Sequence, residues 1–370
     1  MILRGRIGMN RSGSALLAAI LFASVLPFSA ASPQAARSEI RVRLQSNDGI
    51  PVAGALVALL DANDSTVAEG LSTESGTRVL RAPSGVYRVR ARRIGFLPFV
   101  STPVVIPRQN ELLLAIETAR VVLDRIVVNS KSQCSRNDPG SRSLGIVWDE
   151  IDKALRASQL TIADLTGFGR GRVYHSEIGP GGKVVSTDTT LFAIVNQRPF
   201  GAIDPDSLAR AGYVFGDEAK GWIFYAPDET VLLSDQFATT HCFRLVREAA
   251  RPGAIGVAFE PVPQRKVADI VGVLWVDERT AELREVVFHF VNAGILSRFK
   301  PGGFTRFLRV PSGAWIVDEW LLRLPRVAAR QSSAYTGQEH VLVGYYEHGG
   351  GILNGGRRPP GVPDSLNTKR

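Results

Sequence analysis

The sequence predicts a mainly β protein in two parts: an N-terminal β-sandwich, then an antiparallel β-sheet domain carrying one or two helices. Two observations lead there. Short segments with a period of two recur between Gly, Pro, Asn and Asp turns, and only Leu144–Leu160 carries a sustained helical period.

The first domain opens with EIRVRLQS, where Ile40, Val42 and Leu44 alternate with Arg41, Arg43 and Gln45, the signature of a half-buried strand. Asn47-Asp48-Gly49 is a turn, and residues 55–61 and 77–82 are the next strands. Pro83-Ser84-Gly85 turns into GVYRVRARR, which alternates Tyr87, Val89 and Ala91 with Arg88, Arg90 and Arg92. Further strands are expected at 100–106, 112–116 and 121–128.

Residues 118–143 read as a strand and a polar linker. In the following helix, Val147, Ile151, Ala154 and Leu155 share a face, while Asp149, Glu150 and Asp152 fall on its polar side or start. A shorter helix is predicted over 205–211, with Asp204 as cap and Pro205 in the first turn. Hairpins follow, turning at 179–183, at 278–281 and at 311–313, and the last strand spans 333–347. The domain is expected to cover 144–348, and the Gly-, Pro- and Arg-rich residues 349–370 to form a disordered tail. In the 303–325 hairpin, Trp315, Val317 and Leu321 oppose Ile316, Trp320, Leu322 and Leu324. A strand apolar on both faces needs two covers. The helix supplies one; the first domain, a partner or an apolar ligand would supply the other.

The N-terminus predicts export. Arg4, Arg6 and Arg11 precede the apolar run 15–28, and Ser29 and Ala31 sit at −3 and −1 of a small-residue cleavage site. The run is about 14 residues, shorter than the roughly 20 of a spanning helix. Removing residues 1–31 lowers the formal charge from +9 to +6, compatible with weak attraction to anionic envelope polymers. The expected location is secreted, in the periplasm or outer envelope, with no later transmembrane segment and no nucleic-acid partner. In that oxidising setting the two cysteines, Cys134 and Cys242, are expected to pair. Closing a loop of about 110 residues stabilises by roughly 4–5 kcal/mol on the chain-entropy account.

The residues carry no readable catalytic site. The five histidines, His175, His241, His289, His340 and His348, show no His-x-x-Glu or HExxH spacing, and there is no GxSxG elbow or phosphate loop. His175 and Glu177 face the same way on a strand but offer only two ligands, and His241-Cys242 point to opposite faces. No metal or cofactor is expected. Arg41, Arg43, Arg88, Arg90 and Arg92 would form one anion-binding face if their strands shared a sheet.

The motif Asp48-Gly49, Pro51/Gly54/Val57, Thr73 with Gly76, Pro83/Gly85/Tyr87 and Arg92 or Arg93 before Gly95 resembles the carboxypeptidase regulatory-like domain, over about residues 38–117. That resemblance implies a transthyretin-like (prealbumin-like) sandwich with a carbohydrate-binding-like fold and no peptidase chemistry of its own. VLDRIVVN (122–129) resembles the segment that follows this module in TonB-dependent receptors, though too little chain remains for a receptor barrel. The hairpin L-W-V-D-x-x-T-x-E-L at 274–283 resembles that of LolA-type half-barrel carriers, in which a curved antiparallel sheet wraps around helices. The expected function is a non-catalytic envelope protein binding a partner protein, glycan or lipid. The alternatives are an accessory subunit of a secreted peptidase or TonB-type receptor system, and a hydrolase with an unrecognised site.

Overall fold

The computed structural model describes residues 38–118, 142–164, 170–193, 200, 203–217, 221–310, 313–331 and 338–353. The leader 1–31, the strand expected at 121–128, Cys134 and residues 354–370 lie outside these.

The first unit is a sandwich of two sheets. One has the order β4(77–82), β1(38–46), β8(111–116), with β1 and β8 parallel. The other has the order β3(66–71), β2(56–60), β5(85–92), β6(99–100), and β7(104–106) also pairs with β5. The alternation seen in the sequence holds: Ile40, Val42, Leu44, Tyr87, Val89 and Ala91 all point into the shared core. The strand expected at 100–106 is two short strands, split at Pro103, where no amide hydrogen is available to the ladder. β3 was not predicted, because its sequence TVAEGL has no clear period and only its last two residues are buried.

β2 is buried at all five positions. Val57 and Leu59 enter the sandwich core, whereas Leu56 and Leu71 belong to the core of the second unit. The element covering that outer face is α1(142–164), which extends past both ends of the predicted 144–160. Its opposite side packs on the second unit, so α1 is held between the two. Val147, Ile151, Ala154 and Leu155 are fully buried.

The second unit is one antiparallel sheet of nine strands: β10(184–193), β9(170–178), β19(338–352), β18(315–331), β17(302–309), β16(283–291), β15(269–277), β14(254–261), β13(241–246). The hairpins at 179–183 and 278–281 turn where the sequence placed them, residues 311 and 312 of the third turn lie outside the described residues, and α2(205–211) is capped by Asp204 with Pro205 at its start. A small ribbon, β11(214–217) with β12(221–224), and two unpredicted short helices, α3(229–232) and α4(235–240), complete the unit. Residues 349–352 are not tail. They finish β19, where Trp320 and Leu321 face Gly350 and Gly349 on the neighbouring strand.

β18 corrects the expectation of two apolar faces. Between Val317 and Glu319 its register with β17 shifts by one residue, leaving Asp318 as a bulge. A bulge exchanges the faces of the strand that carries it. Trp315 and Val317 before the bulge therefore share one core with Trp320 and Leu322 after it. Ile316 and Leu321 are left half-buried on the far side. The apolar face packs against α1 and, at Trp320, against Phe200.

The backbones of the two units come close at Gly54 and Gly313, both at positive φ (69° and 84°). A Cβ on Gly54 would overlap the Gly313 carbonyl oxygen, and one on Gly313 would lie 2.6 Å from the Gly54 nitrogen. Gly54→Ala is therefore expected to destabilise by about 2–3 kcal/mol, from strained backbone plus overpacking. Because either alanine opens the same seam, Gly54→Ala with Gly313→Ala should cost clearly less than the sum of the singles. Urea midpoints test this, and simple additivity would show that the glycines are not coupled.

Candidate functional site

The five arginines do not form one face. Arg41 and Arg43 lie on the outer side of the β4-β1-β8 sheet, and Arg88, Arg90 and Arg92 on the outer side of the other sheet. Strand alternation is legible in sequence, but strand order in space is not. Most of these charges are also engaged. Arg43 pairs with Glu111 at 3.6 Å, Arg88 with Asp64, and Arg90 donates to Thr66 at 3.3 Å. Arg92 reaches across to α1, donating to Asp149 at 3.0 Å and Asp152 at 2.7 Å.

That last contact belongs to a polar cluster at the seam. Lys153, only 2 % exposed, lies 2.7 Å from Asp149 and 2.8 Å from Glu150. The other Glu150 oxygen accepts from the Gly95 amide at 3.1 Å. Burial pushes the Glu150 carboxyl upward, and Lys153 opposes that rise. The helix acids, read from sequence as a polar side, thus fix the 94–96 turn of the sandwich to α1. Long side chains at a period set by α1 and a turn some 55 residues away meet only in the fold.

Beside this cluster a half-open cavity of about 210 Å³ lies between the units. Leu56, Ile94, Ala157 and Trp315 give it apolar walls, and Arg93, Arg309 and Glu282 give it charge. Arg309 carries no signal in the sequence, and Arg93 enters it only as one of the two motif arginines before Gly95.

The histidines sort differently. His241 is fully buried at the start of β13 and joins Asp269 and Arg265 in an internal network. Cys242 is buried beside it at 2 % exposure, and its expected partner Cys134 lies outside the described residues. His175 on β9 does not share a site with Glu177, which pairs with Arg326 at 2.9 Å. Instead His175 stacks on His348 of β19, ring centroids 4.0 Å apart at 19°, and Trp320 meets His348 edge-on at 4.8 Å. Among the described residues no three His, Cys, Asp or Glu side chains converge on a metal geometry. The aromatic content of the sheet is mostly packed core: the space beside Phe200 and Phe307 is about 10 Å³, room for one water at most.

Burial, and then the neighbouring His175, lower the His348 pKa to about 4. A histidine whose folded pKa is depressed binds a proton more readily when unfolded. Its contribution is complete above about pH 6.5 and is lost as pH falls towards 4. After discounting for its partial exposure, the expected loss is about 1–2 kcal/mol. His348→Phe should flatten that part of the stability–pH curve. An unchanged slope in the variant would remove His348 as its source.

No helix among the described residues is long and apolar enough to cross a membrane. No curated protein matches the chain. Among solved structures, a DUF3823 family protein from Parabacteroides merdae is similar at 10 % identity, covering 61 % of this chain and 92 % of that one, with a TM-score of 0.18. A score that low carries no argument about fold or function. The model of the carboxypeptidase regulatory-like domain matches residues 39–118, under a quarter of the chain and the whole of the first sandwich. The sandwich at 39–118 is therefore a carboxypeptidase regulatory-like domain.

Proposed function

We propose that this chain is an exported, non-catalytic binding protein of the cell envelope, whose two β-rich units hold a ligand in the seam between them. The observation that carries the reading is the seam cavity, roomy enough for a small molecule and lined by both units and by α1. Ligands commonly bind at domain interfaces, on apolar walls with a few convergent polar groups. Export is supported by the basic leader, apolar run and small-residue cleavage site at 1–31.

Three measurements test it. Expressed with its own leader, the full chain should be recovered from the periplasm or medium with a mature mass beginning near residue 32. It should lack hydrolysis of peptide and ester panels, and native mass spectrometry should find a co-purified small molecule. Retention in the cytosol, or turnover lost with a single substitution, would overturn the reading. We also propose the Cys134–Cys242 disulfide. Unfolded, non-reduced protein should show no titratable thiol, and two thiols would refute the bridge.

A further inference from the structure

The charges around the seam cavity do not balance. Arg92 is matched by Asp149 and Asp152, and Lys153 by Asp149 and Glu150. Arg309 pairs with Glu282 at 2.9 Å, and Arg284 shares that carboxylate at 3.2 Å. The charge of Glu282 reaches Arg93, but that carboxylate is already bonded to Arg309 and Arg284, and Arg93 makes no ion pair among the described residues. Its Nε donates to the Ala53 carbonyl at 2.8 Å and its guanidinium lies over the Phe96 ring at 4.7 Å. Burial first, and then the positive Arg309, pull its pKa down to about 10. Trp315 lines the same space with its ring, while its N–H is closed off from it. Trp315 is 1 % exposed, and its indole N–H has no hydrogen-bond partner among the described residues.

We propose that the seam cavity binds a small organic carboxylate, its anionic group held by Arg93 beside Arg309, its apolar part against Leu56, Ile94 and the Trp315 ring. A guanidinium offers a carboxylate two parallel hydrogen bonds, and the pair strengthens in a half-enclosed space. The class follows from the walls and the charge count. One cation without an ion pair calls for one negative charge, while Glu282 in the lining disfavours a second. The apolar walls would be unused by an inorganic anion. The inference rests on the binding reading above and adds its ligand chemistry.

The test is calorimetric titration of the full chain with benzoate and hexanoate, with benzamide as neutral isostere and inorganic phosphate as apolar-free anion. At least one carboxylate is expected to bind with Kd below about 1 mM. Benzamide and phosphate should bind at least about tenfold more weakly. Arg93→Gln should reduce carboxylate binding at least about tenfold, and Arg93→Lys less, since it keeps the charge and loses the fork. Trp315→Phe, which keeps an aromatic wall, should bind carboxylate within about threefold of the unchanged chain. If Arg93→Gln misfolds, Arg309→Gln carries the test. Equal affinity for benzamide, equal affinity for phosphate, wild-type binding by Arg93→Gln, or no carboxylate binding at about 10 mM each overturns the proposal. A neutral co-purified ligand with blank carboxylate titrations would overturn it while leaving the binding function standing.

Discussion

Asp269→Ala is expected to cost about 3–5 kcal/mol and to lower the melting temperature by about 10 °C. Asp269 is fully buried at the start of β15. One carboxylate oxygen accepts from the Ile270 amide at 2.8 Å and lies 3.2 Å from His241 Nε2. That second contact lies off hydrogen-bonding direction, since His241 Nε2 finds no directional partner, so it acts as an electrostatic contact. The other oxygen holds Arg265, whose guanidinium also donates to the carbonyls of Leu208, at 2.8 Å, and Ala209 in the last turn of α2. The aspartate thus orients an arginine that caps α2, and α2 is linked to α4 by Gln236 and Asp206 at 2.7 Å. Removing the carboxylate leaves a nearly buried guanidinium without its counter-charge, which is worse than having neither group. Arg265→Met combined with Asp269→Leu should therefore be more stable than Asp269→Ala alone. The urea midpoints decide this: a double variant no better than the single, or a single that costs under about 1 kcal/mol, would show that the pair is not the linchpin of these helices.

His241 was visible in the sequence only as a neighbour of Cys242, and Asp269 not at all, because both gain their meaning from pairing across the sheet. The same limit runs through the rest of the fold. Features written locally were legible. The Asn47-Asp48-Gly49 turn, the 179–183 and 278–281 turns, the Asp204 cap and the buried stripe of α1 all lie where the sequence put them. Each depends on backbone freedom or side-chain period within one turn of chain.

What was not legible depends on topology. The arginines of β1 and β5 alternate alike, yet they end on opposite outer faces, because strand order in a sandwich is set by non-local pairing. The bulge at Asp318 leaves no periodic signal, and it turned one continuous apolar face into an apparent pair of faces. The seam cavity joins side chains from the sandwich, α1 and the β17–β18 hairpin, separated by more than 200 residues of chain. No window of sequence contains it.

The second large effect is expected at that seam. Lys153→Met should destabilise by about 3–5 kcal/mol at pH 8 and by clearly less at pH 5. Lys153 is the cation between Asp149 and Glu150, and at 3.5 Å its ammonium also reaches the Phe96 carbonyl of the sandwich. Methionine preserves most of the volume, so the change isolates the charge. Without the ammonium, Glu150 stays buried at 2 % exposure with only the Gly95 amide as partner, and desolvation already pushes its pKa upward. In the variant its folded pKa lies above the unfolded value. The protonated form is then tolerated at low pH, and stability is lost as pH rises through the folded pKa. The penalty of Lys153→Met should grow with pH from about 4.5 upward, whereas a mere packing defect would be independent of pH. Adding Glu150→Gln removes the orphaned charge and should recover most of the loss at pH 8. Guanidinium unfolding across pH, together with protease cleavage between the units, reads both effects. A penalty flat in pH, or no recovery on Glu150→Gln, would mean that the Lys153–Glu150 pair does not hold the seam.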